Sequence, residues 1–394
     1  MPTYAASGQS VDARTESAVQ EAMRQALAGL GDRPATAGIL FVASQHKLAR
    51  ALSAADAAAP GVAIIGCTTA GELTERGVLR NGVVVLLLAT DAVVARGYAT
   101  GAKADPERAA VQLCDGYADA QRRATSQGAP SSTSILLVDG LSGAGDKLVS
   151  GVLKQTRAFQ QIVGGAAGDD GAFVATHVGA GSRATSDGAA ALHFFGPRRW
   201  GVGVDHGLRP GPTRHHVTRA EGNVVHEIDH RPAFDLYRTH AKARGIDLSP
   251  SNAGPYLIAN ELGVFFLDEL RAARAPLSVD KAGALTCAAE VPEDATIAIL
   301  DGDPDQMVAA ARRAAQEAHA ALAGTPAAAV LVFDCVCRAA ILGDGVSREL
   351  DAIRRVFPKT PIAGFFTYGE IARTRGKLDG WHNTTAVVVA IPAD

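Results

Sequence analysis

Ile64-Ile-Gly-Cys-Thr-Thr-Ala-Gly-Glu-Leu73 and, near the other end of the chain, Ile362-Ala-Gly-Phe-Phe-Thr-Tyr-Gly-Glu-Ile371 carry one pattern in one register. They share Gly66/Gly364, Thr69/Thr367, Gly71/Gly369 and Glu72/Glu370, followed by Leu73/Ile371. Each copy begins as a short apolar run, breaks at a glycine, and sets a hydroxyl and a carboxylate beside a second glycine. Only glycine is indifferent to the sign of φ, so the pattern reads as a strand running into a tight turn. A repeat at this separation divides the chain into two related halves. Ile162–Asp170 (Ile-Val-Gly-Gly-Ala-Ala-Gly-Asp-Asp) resembles the same motif, with an acid again at the turn.

Outward from these turns, short apolar runs alternate with helical periodicity. Ser10 is placed to cap a helix from Val11 to Leu30, which Gly29, Gly31 and Pro34 end. Ile39–Ala43 reads as a strand buried on both faces, with a helix over Lys47–Ala58 and a strand at Val62–Ile65. Val83–Leu88 and Val93–Tyr98 read as an antiparallel pair, because Thr90-Asp91 leaves room only for a tight connection. Helices are expected over Pro106–Arg123 and Leu148–Phe159, with a strand at Ile135–Val138 between them. Tyr256–Ala259 and Val264–Leu267 look like strands, Pro304–Ala323 like a long helix, and Ala386–Ile391 like the strand that closes the last sheet. The fold class is α/β: two modules with mixed β-sheets flanked by helices and an internal repeat of the strand-turn motif. The expected organisation is an N-terminal helix in 1–31, modules in 32–230 and 231–380, and a closing strand in 381–394.

Composition narrows the function. The chain has 394 residues, 47% of them apolar and 20% charged, which describes a folded soluble protein of two or three domains. Its 38 basic and 41 acidic residues leave a net charge of −3, and without a basic run neither nucleic acid nor an anionic membrane is expected as a partner. The longest strongly apolar run, Val83–Ala89, is far short of a membrane span. The polar N-terminal stretch does not read as a secretory signal. Five scattered cysteines argue against a disulfide framework and for a reducing, cytoplasmic setting.

Several stretches carry a resemblance. Gly66–Leu73, Val217–Tyr237, Ala273–Asp280, Ala284–Asp294, Leu300–Met307, Phe333–Arg338 and Gly364–Ile371 together are similar to the FIST proteins, which join an N-terminal and a C-terminal FIST module. The match runs from Asp32 to Asp379, and Asp229-His230 stands where the family tends to have Asp-Gly. The resemblance implies a sensory, non-enzymatic protein of bacterial signalling that binds a small, amino-acid-like ligand. Some similar proteins are haem-based nitric oxide sensors working with a histidine kinase or a cyclic-dinucleotide enzyme (diguanylate cyclase or phosphodiesterase). No such output segment is read in this chain, so output is expected to pass through a separate protein; a homodimer is left open.

For an amino-acid-like ligand the two turns supply the expected contacts: Cys67, Thr68, Thr69, Gly71 and Glu72 from one, and Thr367, Tyr368, Gly369 and Glu370 from the other. The hydroxyls and backbone N–H groups would face a carboxylate, and the glutamates an ammonium, in the crevice beyond the strand ends. The alternative is that both glutamates only hold local backbone. Asp139 occupies a comparable turn. Arg338 is suited to hold an anionic group bidentately or to make a structural ion pair. Cys335-x-Cys337 lacks the further ligands of a zinc site, so no metal is assigned. Cys67 at a sharp turn is a nucleophile only if a base reaches it, and otherwise a buried thiol; a Cys67-dependent enzyme is the second alternative. If haem binds, His206, in a turn after a strand, is the first candidate ligand, and the chain has no motif for covalent attachment.

Overall fold

The computed structural model of the chain describes residues 2–156, 161–373 and 380–393. The first ninety residues build one unit: β1 (Tyr4–Ser10), α1 (Thr15–Leu30), β2 (Ala37–Ala43), α2 (Leu48–Ala58), β3 (Ala63–Thr69), a hairpin of β4 (Glu72–Thr74) and β5 (Gly77–Leu79), and β6 (Val83–Ala89). The second unit repeats this order with β7 (Val93–Thr100), α3 (Pro106–Leu113), α4 (Tyr117–Ser126), β8 (Ser131–Val138), α5 (Gly145–Gln155), β9 (Gln161–Ala166), a hairpin of β10 (Val178–Ala180) and β11 (Arg183–Thr185), and β12 (Gly188–Gly196).

A third unit opens with β13 (Gly201–Asp205) and is interrupted. The interruption holds β14 (Arg209–Pro210), β15 (His215–Glu221), β16 (Val224–Ile228), β17 (Arg231–Pro232), α6 (Ala233–Lys242), α7 (Ala253–Ala259), β18 (Asn260–Phe266), β19 (Glu269–Arg274), β20 (Pro276–Val279), β21 (Leu285–Cys287) and β22 (Thr296–Asp301). Those strands form a nine-stranded sheet of their own. The third unit then resumes with α8 (Pro304–Ala321), β23 (Ala327–Cys335), α9 (Val336–Leu342), α10 (Ser347–Val356), β24 (Ile362–Thr367), a hairpin of β25 (Glu370–Arg373) and β26 (Trp381–His382), and β27 (Ala386–Pro392).

The hairpins show how the units join. The three six-stranded sheets run β1-β6-β2-β3-β10-β11, β7-β12-β8-β9-β25-β26 and β13-β27-β23-β24-β4-β5. Each unit builds four strands of its own sheet and donates its hairpin to another: the first to the third, the third to the second, the second to the first. The exchange closes a ring. In each of these three sheets the two central strands are parallel (β2 with β3, β8 with β9, β23 with β24) and the other pairs antiparallel.

Side-chain alternation along the central strands explains the layers. Ile39 and Phe41, Ile135 and Leu137, and Leu331 and Phe333 all point into one core enclosed by the three sheets. Their neighbours Leu40 and Val42 pack on α1 and α2, while Leu136, Val138, Val330 and Val332 join the core under the outer helices of the other two units. With both faces covered, these strands read as continuous apolar runs. Phe365 meets Phe41 at 4.8 Å and Phe333 at 5.8 Å between ring centroids, fastening two sheets together.

The first glycine of the motif has one cause in all three copies. Gly66, Gly164 and Gly364 sit opposite Leu40, Leu136 and Val332 in the parallel pairs. A Cβ there would lie 2.7, 1.8 and 2.1 Å from those residues' carbonyl oxygens.

Several expectations are corrected. Residues 4–10, left without an element in the sequence, form strand β1, and Ser10 caps nothing: α1 follows Arg14 without a side-chain cap, and the Ser10 hydroxyl donates to Glu21 at 2.5 Å. β6 and β7 do not pair; the short Thr90–Ala92 link carries the chain from the middle of one sheet to the edge of the next, because each strand has better-matched partners there. The helix expected over Pro106–Arg123 is two, broken at Gly116 with φ 73°. Tyr256–Ala259 is the end of α7, and the strand begins at Asn260. The end of the helix expected at Phe159 lies outside the described residues.

Candidate functional site

The parallel strands of all three sheets deliver their motif turns to one pole of the ring, where the turns hydrogen-bond to one another. Ala70 N–H donates to Phe366 O at 3.1 Å and Phe366 N–H to Gly71 O at 2.8 Å. Ala166 N–H donates to Gly369 O at 2.7 Å, Tyr368 N–H to Ala166 O at 3.1 Å, and Gly168 N–H to Thr68 O at 3.0 Å. The sequence-predicted residues Cys67–Glu72 and Thr367–Glu370 are therefore brought together around the Ala166–Asp170 segment.

Their polar atoms are turned inward. Glu72 is fully buried; Thr69 bonds its Oε1, and Gly82 N–H donates to its Oε2 at 3.1 Å. Glu370 repeats this with Thr367 and with Thr385 N–H at 3.0 Å. Burial pushes the Glu72 carboxyl up to about 8, and burial with Cys335 nearby raises Glu370 well above the carboxylate range. A neutral Glu72 fits its surroundings, since the Thr69 hydroxyl also reaches Val42 O at 3.3 Å and can donate there while accepting the acid proton. Val178 takes the glutamate's register position in the second unit: it faces Cys67 as Glu72 faces Phe365 and Glu370 faces Gly165. A loop inserted before it places Asp169 against Tyr368. Burial opposes the Asp169 charge, but the Tyr368 hydroxyl and the N–H groups of Val174, Ala175 and Phe173 hold it below the usual range. Phe173 stacks on Tyr368 with centroids 4.4 Å apart.

Beside this hub, and outside the ring's core, lies a cavity of about 240 Å³. One wall is the loop from the end of β8 to the start of α5, Asp139-Gly140-Leu141-Ser142-Gly143-Ala144-Gly145-Asp146-Lys147; the other walls are Gly222-Asn223, Ala288–Glu290 and Trp381. The glycines admit the wall that faces them: a Cβ at Gly145 or Gly369 would stand 2.2 or 2.4 Å from the Trp381 ring. The first bond of α5 runs from Leu148 N–H to Ala144 O, so the N–H groups of Gly145, Asp146 and Lys147 precede the helical ladder at its positive end. Asp139 is 4% exposed; burial raises its pKa against hydrogen bonds from Thr176 and from Leu141 N–H. Arg274 fixes the opposite wall, its Nε donating to Glu290 O at 2.8 Å, and Asn223 Nδ2 donates to Cys287 O at 2.8 Å. The cavity thus offers Lys147 and a helix N-terminus to an anionic group, and the carboxylates of Asp139, Asp146 and Glu290 to a cationic one.

The remaining sequence candidates fall elsewhere. Arg338 is fully buried and spent on the protein: it pairs with Asp334 at 2.9 Å and with Glu349, and donates to His206 O at 2.6 Å and Met307 O at 2.9 Å. The anion-holding role is thereby excluded in favour of the structural ion pair. Cys67 is buried within β3, and burial with Glu72 close by raises its thiol well above the usual range, which removes the thiolate that nucleophilic catalysis needs. His206 lines neither this cavity nor the one at the opposite pole; its Nδ1 accepts Leu208 N–H at 2.9 Å, and burial lowers its pKa. Those surroundings do not fit a haem. Lys147, Asn223, Glu290 and Trp381 were missed in the sequence; the signal was the glycine-rich run from strand to helix ending in Lys147.

Residues 36–231 match the FIST N domain and residues 233–373 match the FIST C domain. No curated protein matches the chain. Among solved structures, phosphoribosylformylglycinamidine synthase II from Thermotoga maritima aligns at 10% identity over 99% of this chain and 72% of that one, with a TM-score of 0.21, too low to bear on fold or function. The boundary between the matches falls at β17. Asp139–Lys147 and Gly222-Asn223 therefore come from the N domain and Ala288–Glu290 from the C domain.

Proposed function

The chain belongs to the FIST family, and from that premise we propose that it is a sensory protein that binds a small amino-acid-like ligand in the cleft between its two FIST modules and signals to a separate partner, a histidine kinase or a cyclic-dinucleotide enzyme. FIST domains are sensory domains that bind small ligands. The observation that carries the reading is the inter-module cavity of about 240 Å³ whose lining holds one cation, Lys147, among the carboxylates of Asp139, Asp146 and Glu290.

A ligand carboxylate sits at the N-terminus of α5 beside Lys147, where backbone N–H groups and the helix dipole favour an anion. Its ammonium faces Asp139, and the Trp381 ring covers its apolar stem. Binding at this place draws the two modules together, because no one module supplies the whole lining. The Thr-x-Gly-Glu turns, with their carboxyls satisfied internally, hold the frame on which Asp139 and Trp381 stand.

Calorimetric titration of the full chain with the twenty amino acids tests this. At least one is expected to bind, and Lys147→Met and Asp139→Asn each to weaken it by about tenfold, roughly 1.4 kcal/mol. Ligand binding that is indifferent to both substitutions would place the site elsewhere.

A further inference from the structure

The opposite pole of the ring carries a second cavity, of about 300 Å³. It opens where the return strands of the three units end: Leu88 on β6 and Thr90 just after it, Phe194 and Phe195 on β12, and Ile391 and Pro392 on β27 all border it. This is the end at which β8 and β9 begin, a strand's length from the inter-module cleft. Its floor is aromatic, with Phe194 and Trp200 tilted at 46° and 4.9 Å between centroids. Its polar lining is balanced in charge, Asp91 against Arg198, with Gln127 and the Thr3 and Thr90 hydroxyls, bonded to each other at 2.9 Å, completing the edge.

The aromatic wall is held in place before any ligand arrives. Gln161, the first residue of β9, accepts Trp200 N–H at 3.0 Å and returns a hydrogen bond to Trp200 O at 2.9 Å, and its Oε1 also accepts the Thr133 hydroxyl at 3.1 Å. Tilted rings present edges and faces to a further ring at favourable angles, and a volume near the lower limit of ligand sites selects a single-ring compound. Walls of balanced charge favour an uncharged one.

We propose that this cavity is a second ligand site, independent of the inter-module cleft, for a small uncharged aromatic compound bearing one hydrogen-bonding group. The chain has two tryptophans, and each lines one cavity. The full chain carrying Trp381→Phe therefore reports on this site alone through Trp200 emission. Benzyl alcohol is expected to shift that emission saturably, and cyclohexylmethanol to act at least about tenfold more weakly, the difference that ring–ring contacts supply. Adding Ala129→Phe, which fills the cavity, abolishes the shift while the circular dichroism stays native; if that variant does not fold, Ala92→Leu serves in its place. Absence of a saturable shift, equal response to cyclohexylmethanol, or a shift that survives in a folded filled variant overturns the proposal.

Discussion

At the scale of single residues, the paired glutamates set the pH response. The Glu72 carboxyl rises from an ordinary 4.5 to about 8 in the fold because burial disfavours its charge. A raised acid contributes stability that is fully present below the unfolded value and drains away as pH climbs toward the folded one. Urea unfolding midpoints are therefore expected to fall between about pH 5 and pH 8, at a limit near 1.4 kcal/mol per pH unit for each such group. Glu72→Gln keeps the neutral shape and should flatten part of that slope; a slope unchanged in the variant would count against the assignment. Glu261, also raised to about 8 by burial while bonded by Thr384, adds to the same window. Arg338 makes the opposite case, a buried cation among acids. Arg338→Met strands Asp334 and Glu349 without their partner and is expected to cost about 3–5 kcal/mol in chemical denaturation.

Among elements, the motif strand and its donated hairpin define the architecture. The glycine opposite Val332 O cannot carry a Cβ without moving one strand off the other, so Gly364→Ala should lower the thermal midpoint by several degrees or prevent folding. Gly61→Ala offers a control for glycine loss as such, since nothing stands within 4 Å of its Cβ position, although its positive φ brings its own smaller strain. The motif was legible in the sequence because these steric demands fix glycine at the same place in each copy. The glutamates made two copies conspicuous. The third copy was only half visible because Val178 replaces the acid and a loop separates it from its strand. β1 escaped notice because its Tyr-Ala-Ala-Ser-Gly-Gln-Ser sequence is short of branched apolar residues; a long edge pairing with the strongly apolar β6 holds it in the sheet. The separation of β6 from β7 was equally hidden, because a three-residue connection looks the same whether it closes a hairpin or crosses between sheets.

For the whole molecule, the ring of exchanged hairpins makes the sheets one cooperative body around Phe41, Phe333 and Phe365. Phe365→Ala removes contacts to two sheets at once and should cost about 3–5 kcal/mol, observed as a loss at every unfolding probe together. The candidate site is a property of this scale and was largely illegible lower down. Its walls come from residues 139–147, 222–223, 288–290 and 381, and no periodicity links four segments so far apart. Asp139 alone was picked out from sequence, by its position at a turn after a strand. The measurement that bears most directly on the inter-module cleft is the emission of Trp381 in Trp200→Phe protein during titration with the amino acid that calorimetry selects. A saturable change in that emission, moved to about tenfold higher ligand concentration in Lys147→Met and kept in Glu72→Gln, is the expected result. Calorimetric binding with no response from Trp381 would contradict the account, because the ligand would then lie outside the cleft that this indole walls.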